Sequence, residues 1–212
     1  MLDPVTGIEL ERNYAVYPFN EATSIDGKGT ISAILPTTQT YAENSFGLGA
    51  NLMVAATKDR DDTALRFKNA CGYLELQLYG NNAKVKSITF KGNKDEKIAG
   101  KATITARYNE DSKLSMTDES TTSVTLDCSK AGGVLLSSDS SKPTSFWFVL
   151  PAMTFKEGFT VTVTGVDGGT YTRSTSNEVT IDRNMIQPMA ALKVTLGGEG
   201  IDIVNNKVRF YL

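Results

Sequence analysis

Histidine is absent from the 212-residue chain. That removes the commonest general base, the usual zinc ligand and every Ser-His or Cys-His nucleophile pair. Only two cysteines are present, Cys71 and Cys128, too few for a four-ligand zinc site. They can pair in an oxidising compartment or stay buried as small hydrophobes, and the sequence leaves both open. Charge of either sign is not in excess, with 22 basic and 24 acidic residues and a net charge of −2. No basic face stands out, which argues against a nucleic-acid partner. No apolar run approaches the roughly 20 residues of a membrane-spanning helix. No export signal is visible behind Met1, where Asp3 and Pro4 follow at once. Apolar residues recurring at helical spacing are missing too, so βαβ units have no helices to build from.

Strand patterns fill the space. Phe146 to Leu150 (FWFVL) is a short, wholly apolar run that suits a strand buried on both faces, ended by Pro151. Phe159, Val161 and Val163 alternate with threonines, and Asp167-Gly168-Gly169 supplies a tight turn. Leu74, Leu76 and Leu78 alternate with Glu75 and Gln77, and Gly80-Asn81-Asn82 reads as a hairpin turn into Val85 to Phe90. Shorter strands are expected at Tyr14 to Phe19, Ile31 to Leu35, Leu52 to Ala56, Ala102 to Ala106, Val124 to Leu126, Val134 to Leu136, Glu178 to Ile181 and Leu192 to Leu196. Thr37 to Gly49 and Asn109 to Ser123 read as polar connections, and Met185 to Met189 as a crossing segment. The chain should close with a hairpin, Ile201 to Val204 and Val208 to Leu212 around Asn205-Asn206. The fold class predicted is all-β, an antiparallel sandwich. The charged stretch Lys58 to Asp62 marks a candidate boundary between residues 1–63 and 64–212.

Candidate chemistry is thin. Asp59, Asp61 and Asp62 offer carboxylates but miss the spacing and glycine of a calcium loop, so a solvated turn is favoured. Asp95 and Glu96 lie between lysines, and Asp167 is a turn residue. Ser137 to Ser141 reads as a flexible loop. Tyr73, Tyr79, Tyr108 and Trp147 could form a sugar-stacking platform, although Trp147 sits in the apolar run and fits core packing better. No nucleophile motif is present, and the chain is expected to be neither an enzyme nor a cofactor or metal protein.

An ordered set of short motifs resembles the bacterial fimbrillin-like family, the subunits and relatives of type V pili. The motifs run from Tyr17-Pro18-Phe19, Leu35-Pro36 with Gln39, and Met53-Val54-Ala55 to Phe67-Lys68-Asn69-Ala70-Cys71-Gly72 leading into Leu74. Val85-Lys86-Ser87-Ile88 before Gly92-Asn93, then Gly100, Leu150-Pro151 with Phe155, Gly158-Phe159, and Asp182-Arg183-Asn184 complete the series. The resemblance implies tandem transthyretin-like, Greek-key sandwiches, lipoprotein export and display at the outer membrane. It implies polymerisation by strand donation with other pilus subunits, as a homo- or hetero-polymer, and contact with host or bacterial surface proteins or glycans. The stretch before Phe67 falls short of a complete first sandwich, so the expectation is a partial or reduced N-terminal β domain before the complete one. No lipobox cysteine stands near Met1, so anchoring comes from the resemblance alone.

On this reading Val5 to Leu10 or the C-terminal stretch supplies the exchanged strand. The second is preferred, with Ile201, Ile203, Val208, Phe210 and Leu212 as its anchors, because Gly197 to Gly200 would let it swing free. Arg12 is the candidate site for a trypsin-like processing protease. The competing function is a surface carbohydrate-binding sandwich, which needs exposed aromatics gathered on one face or at loop tips.

Overall fold

The computed structural model describes residues 10–196, with the backbone of two further strands at Ile201–Val204 and Lys207–Phe210. Among the described residues the protein is almost entirely β-structure, with one 3₁₀ turn at Lys130–Gly132. In chain order the strands are β1 (Tyr14–Tyr17), β2 (Ser24–Ile25), β3 (Thr30–Leu35), β4 (Thr38–Ala42), β5 (Ser45–Phe46), β6 (Met53–Ala56), β7 (Lys68–Asn69) and β8 (Cys71–Tyr79). Next come β9 (Lys84–Gly92), β10 (Gly100–Thr105), β11 (Lys113–Met116), β12 (Ser123–Asp127), β13 (Val134–Leu135), β14 (Thr144–Pro151), β15 (Met153–Phe155) and β16 (Phe159–Gly165). The last are β17 (Thr170–Thr175), β18 (Val179–Ile181), β19 (Ile186–Pro188), β20 (Leu192–Lys193), β21 (Ile201–Val204) and β22 (Lys207–Phe210).

The strands pack into two sandwiches that share a strand pair. One sheet runs β17-β16-β9-β12-β4-β5, with β13 on β9. It faces a second sheet in which β8 lies between β14 on one side and the parallel strands β19 and β20 on the other. Leu74, Leu76, Leu78, Phe146, Phe148 and Leu150 of β8 and β14 meet Val85, Ile88, Phe90, Val161 and Val163 between these sheets. The period-two pattern legible in each strand is what places these side chains on one face.

The opposite face of β8 and β14 carries a second, smaller core. Cys71, Tyr73 and Val149 pack there with Ile31, Leu35, Leu52, Val54 and Ile104. Its walls are the sheet β1-β6-β7 and the sheet β11-β10-β3-β2. β7 runs through Ala70 into β8, so one stretch of chain pairs with β6 in one sandwich and with β14 in the other. Gly72 follows this joint. A Cβ there would meet the Asp182 carbonyl at 2.2 Å, so only glycine lets the Ile181–Asp182 backbone pass so close.

Several expectations are corrected by this arrangement. Thr37 to Gly49 is not a connection but carries β4 and β5, and Asn109 to Ser123 contains β11. Both were hidden because their exposed sides are polar and their inward residues few. The Gly80–Asn82 turn does not close a hairpin, since β8 and β9 lie in opposite sheets and the turn carries the chain across the core. The Asp167–Gly169 turn does close one, between β16 and β17, with the Gly165 amide donating to Gly169 O at 2.8 Å. Strands also cross position 63: β3 lies along β10 over six residues, and β4 runs parallel to β12. The stretch Lys58 to Asp62 is a surface turn whose backbone is held to Asn13, whose Nδ2 donates to the carbonyls of Arg60 and Asp62.

Candidate functional site

For a protein built of stacked sheets, the groups available to a partner are unpaired strand edges and outer faces. β17 ends the large sheet, and among the described residues no backbone bond reaches its outer side. Arg173 sits opposite Val161 on the core-facing side of this strand. A strand added there would bury the guanidinium without an acceptor, so Arg173 blocks the edge.

Among the described residues β1 is an open edge without such a guard. It reads Tyr-Ala-Val-Tyr, carries no charge, and ends the sheet β1-β6-β7. The Thr57 amide donates to Asn13 O at 2.9 Å, which fixes the phase of the ladder. Asn13, Ala15 and Tyr17 therefore bond to β6, while Tyr14 and Val16 turn their N–H and C=O outward. Exposed aromatics mark its end: Tyr17 is 45% exposed and Phe19, beyond Pro18, is 64% exposed.

The outer faces are of another kind. Thr38, Thr125, Thr89, Thr162 and Thr172 fall in one register row across five strands of the large sheet. Ser115, Thr103, Ser32 and Ser24 form a comparable row across the four strands of the smaller sheet. These faces are rich in hydroxyls, with neighbours such as Thr162 Oγ1 and Thr172 Oγ1 3.2 Å apart.

The structure does not gather the sequence candidates into one site. Tyr73 is buried and stacks on Phe46 with ring centroids 5.0 Å apart and planes 2° from parallel. Trp147 packs against the smaller core, so neither of these two rings is free for a sugar platform, while Tyr79 and Tyr108 are half-buried elsewhere. The carboxylates of the Lys58–Asp62 turn serve its own backbone. Asp59 Oδ1 accepts from the amides of Asp61 and Asp62, and Asp62 accepts from those of Lys58 and Ala64. Those two amides hold the Asp62 carboxyl below the usual carboxylate range. Cys71 and Cys128 are free and buried in different cores, and burial pushes each thiol up to about 12. Arg12 stands before β1 with Nη1 donating to Thr57 O at 3.5 Å, and the next amide, Asn13, donates to Thr57 Oγ1 at 2.8 Å. The strand-exchange candidates Ile201, Ile203, Val208 and Phe210 fall in β21 and β22, which pair with each other antiparallel. Their side chains, Leu212 and residues 1–9 lie outside the described residues.

No protein-family model and no curated protein matches the chain. Among solved structures, a candidate cell adhesion protein from Bacteroides ovatus superposes with a TM-score of 0.50 at 12% identity, over 85% of this chain and 61% of that one. A second, from Bacteroides uniformis, gives a TM-score of 0.41 at 14% identity, over 76% and 57%. The first likeness is one of fold. The chain spans about three fifths of that structural neighbour's length.

The fold gives a physical account of the motifs that carry the resemblance. Asn69 and Asn184 are hydrogen-bonded through their side chains, Arg183 Nη1 donates to Asn69 O at 3.0 Å, and the Asn184 amide donates to Cys71 O at 2.9 Å. Asn93 Nδ2 donates to the carbonyls of Glu157 and Thr175 beside the left-handed Gly158. Gln39 joins the two sheets of the large sandwich. Its Nε2 donates to Val149 O at 2.8 Å and its Oε1 accepts from the Val149 amide at 2.9 Å, as a neighbouring strand would. Gln39 stands in the sequence only as part of the Leu35-Pro36 motif. The available signal was a glutamine in phase with inward-facing positions of β4.

Proposed function

We propose that this chain is a surface adhesion subunit of fimbrillin-like type, exported to the outer membrane as a lipoprotein, that assembles by β-strand pairing with other subunits. It performs no catalysis on this reading. The observation that carries it is the uncharged outer edge of β1, with the backbone groups of Tyr14 and Val16 turned outward beside exposed Tyr17 and Phe19. Such an edge supports the addition of an extended segment, where main-chain bonds give affinity and alternate side chains give register. The donor is the C-terminal stretch 201–212 of another copy or of a related subunit, with Ile201, Ile203, Val208, Phe210 and Leu212 as its apolar anchors. The cell adhesion description of the Bacteroides ovatus structure agrees with this role. Removing residues 201–212 should abolish polymers seen by electron microscopy and size-exclusion chromatography. Filaments of ordinary length from the truncated chain would defeat the proposal. The hydroxyl rows favour a second reading, a neutral glycan as the surface recognised. A glycan array on monomeric protein separates the two, because strand pairing requires no glycan signal.

A further inference from the structure

The smaller core is closed at one end by alanines, and they do not fill it. Val54 and Ala56 on β6 and Ala106 just beyond β10 line an open mouth of about 30 Å³. Roughly 10–15 Å³ holds one water, so the space suits a group of two or three heavy atoms. Among the described residues the rim carries three cations, Arg66, Lys68 and Arg107, against one carboxylate, Glu110. Glu110 is engaged twice: its Oε2 accepts from Arg107 Nη1 at 3.0 Å, and its backbone oxygen accepts from Lys68 Nζ. Among the described residues no hydrogen bond holds the Arg66 guanidinium. The nearby Asp62 carboxylate already accepts from the amides of Lys58 and Ala64.

Backbone adds a second, independent feature. β7 pairs with β6 only at Met53 and Val54. The Ala70 amide donates to Leu52 O at 2.8 Å, so Leu52, Val54 and Ala56 turn their polar groups to the β7 side. At Ala56 β7 has not begun, and among the described residues no backbone group bonds there. The mouth therefore combines an apolar floor, an unladdered amide and an excess of positive charge.

We propose that this mouth binds an organic carboxylate on a short aliphatic stem, the stem against Val54, Ala56 and Ala106 and the carboxylate between Arg66, Lys68 and the Ala56 amide. A planar guanidinium and an amide both suit a carboxylate's two oxygens, and the pairing is charge-assisted. The site is separate from the β1 edge and does not rest on the assembly proposed above.

The test is an amide NMR titration of the full chain with sodium butyrate, at constant ionic strength, with butyramide and inorganic phosphate in parallel. Butyrate should shift the Ala56, Ala106 and Tyr108 amides saturably, with affinity in the millimolar range. Arg66→Gln should weaken this about tenfold while leaving the remaining amide spectrum in place, which shows that the variant folds. Equal shifts from butyramide, equal affinity for phosphate, unsaturable butyrate shifts, or an unchanged titration in Arg66→Gln would each overturn the proposal.

Discussion

The two cores of this chain are made of different materials. The larger one holds five phenylalanines, and Phe90 lies at their centre, with ring centroids 5.8, 5.3 and 4.8 Å from Phe148, Phe155 and Phe159. The smaller one counts Ala33, Ala50, Ala56, Ala70 and Ala106 among its buried residues and, among the described residues, has no buried phenylalanine. Aromatic rings each bury some 150–250 Å², so the first core has the area to hold two sheets together by itself. Alanine contributes far less, and the second sandwich borrows its floor from β8 and β14. The difference teaches that the smaller sandwich depends on the larger one for a wall, and that a mouth opens beside its alanines.

That comparison can be broken most forcefully at Phe90. Phe90→Ala should cost about 3–5 kcal/mol, because the cavity opens amid rings that cannot collapse into it. Leu35→Ala in the smaller core should cost about 2–5 kcal/mol. Trp147, the single tryptophan, packs on the smaller core and reports it by fluorescence, while far-UV circular dichroism reports all strands. Fusion predicts coincident urea transitions by both probes in both variants. A separate early tryptophan transition in Leu35→Ala would mean that the smaller core melts alone.

Gln39→Ala removes the clasp between the sheets of the large sandwich and leaves the Val149 amide and carbonyl buried without partners. The expected loss is about 1–3 kcal/mol, measured by the shift of the same urea midpoint. Retained stability would show that β4 and β14 are held by packing alone.

The two thiols give a gentler comparison. Burial holds each neutral, up to about 12, so native protein should resist a maleimide at pH 8 and label at both sites in denaturant. Their folded values lie above the ordinary thiol value of 9.0. The stability this gives is complete below pH 9 and falls away as pH rises toward 12. Labelling of Cys71 before Cys128 in mild urea would again expose the smaller core as the weaker unit.

The smallest effect on stability, within about 0.5 kcal/mol, is expected for Arg173→Val at an exposed edge. Its consequence should appear in association instead. Light scattering should show the variant forming larger species at the unguarded β17, and a strictly unchanged size would remove the blocking role given to Arg173.

Much of this fold was legible in the residues. Alternation in Leu74 to Leu78 and Phe159 to Val163, the apolar run of β14, and the Asp167-Gly168-Gly169 turn reflect local backbone geometry, in which side chains two apart share a face. The absence of histidine and of helical periodicity likewise belonged to the sequence, as did the all-β class. Pairing did not. Whether Gly80–Asn82 closes a hairpin or crosses a core depends on what lies opposite β8 and β9, and alternation is identical in both cases. β4 gains its place from the distant β12, while β5 and β11 are short hairpin partners of β4 and β10, and their two or three inward residues carry too weak a pattern to be read. The sharing of β8 and β14 between two cores, the clasp of Gln39 on Val149, and the cationic mouth beside Ala56 all join residues far apart in the chain. Local preference acts over a few bonds and is written in order along the chain. Contacts across sheets are settled only when burial competes over the whole molecule, and tertiary structure alone decided those.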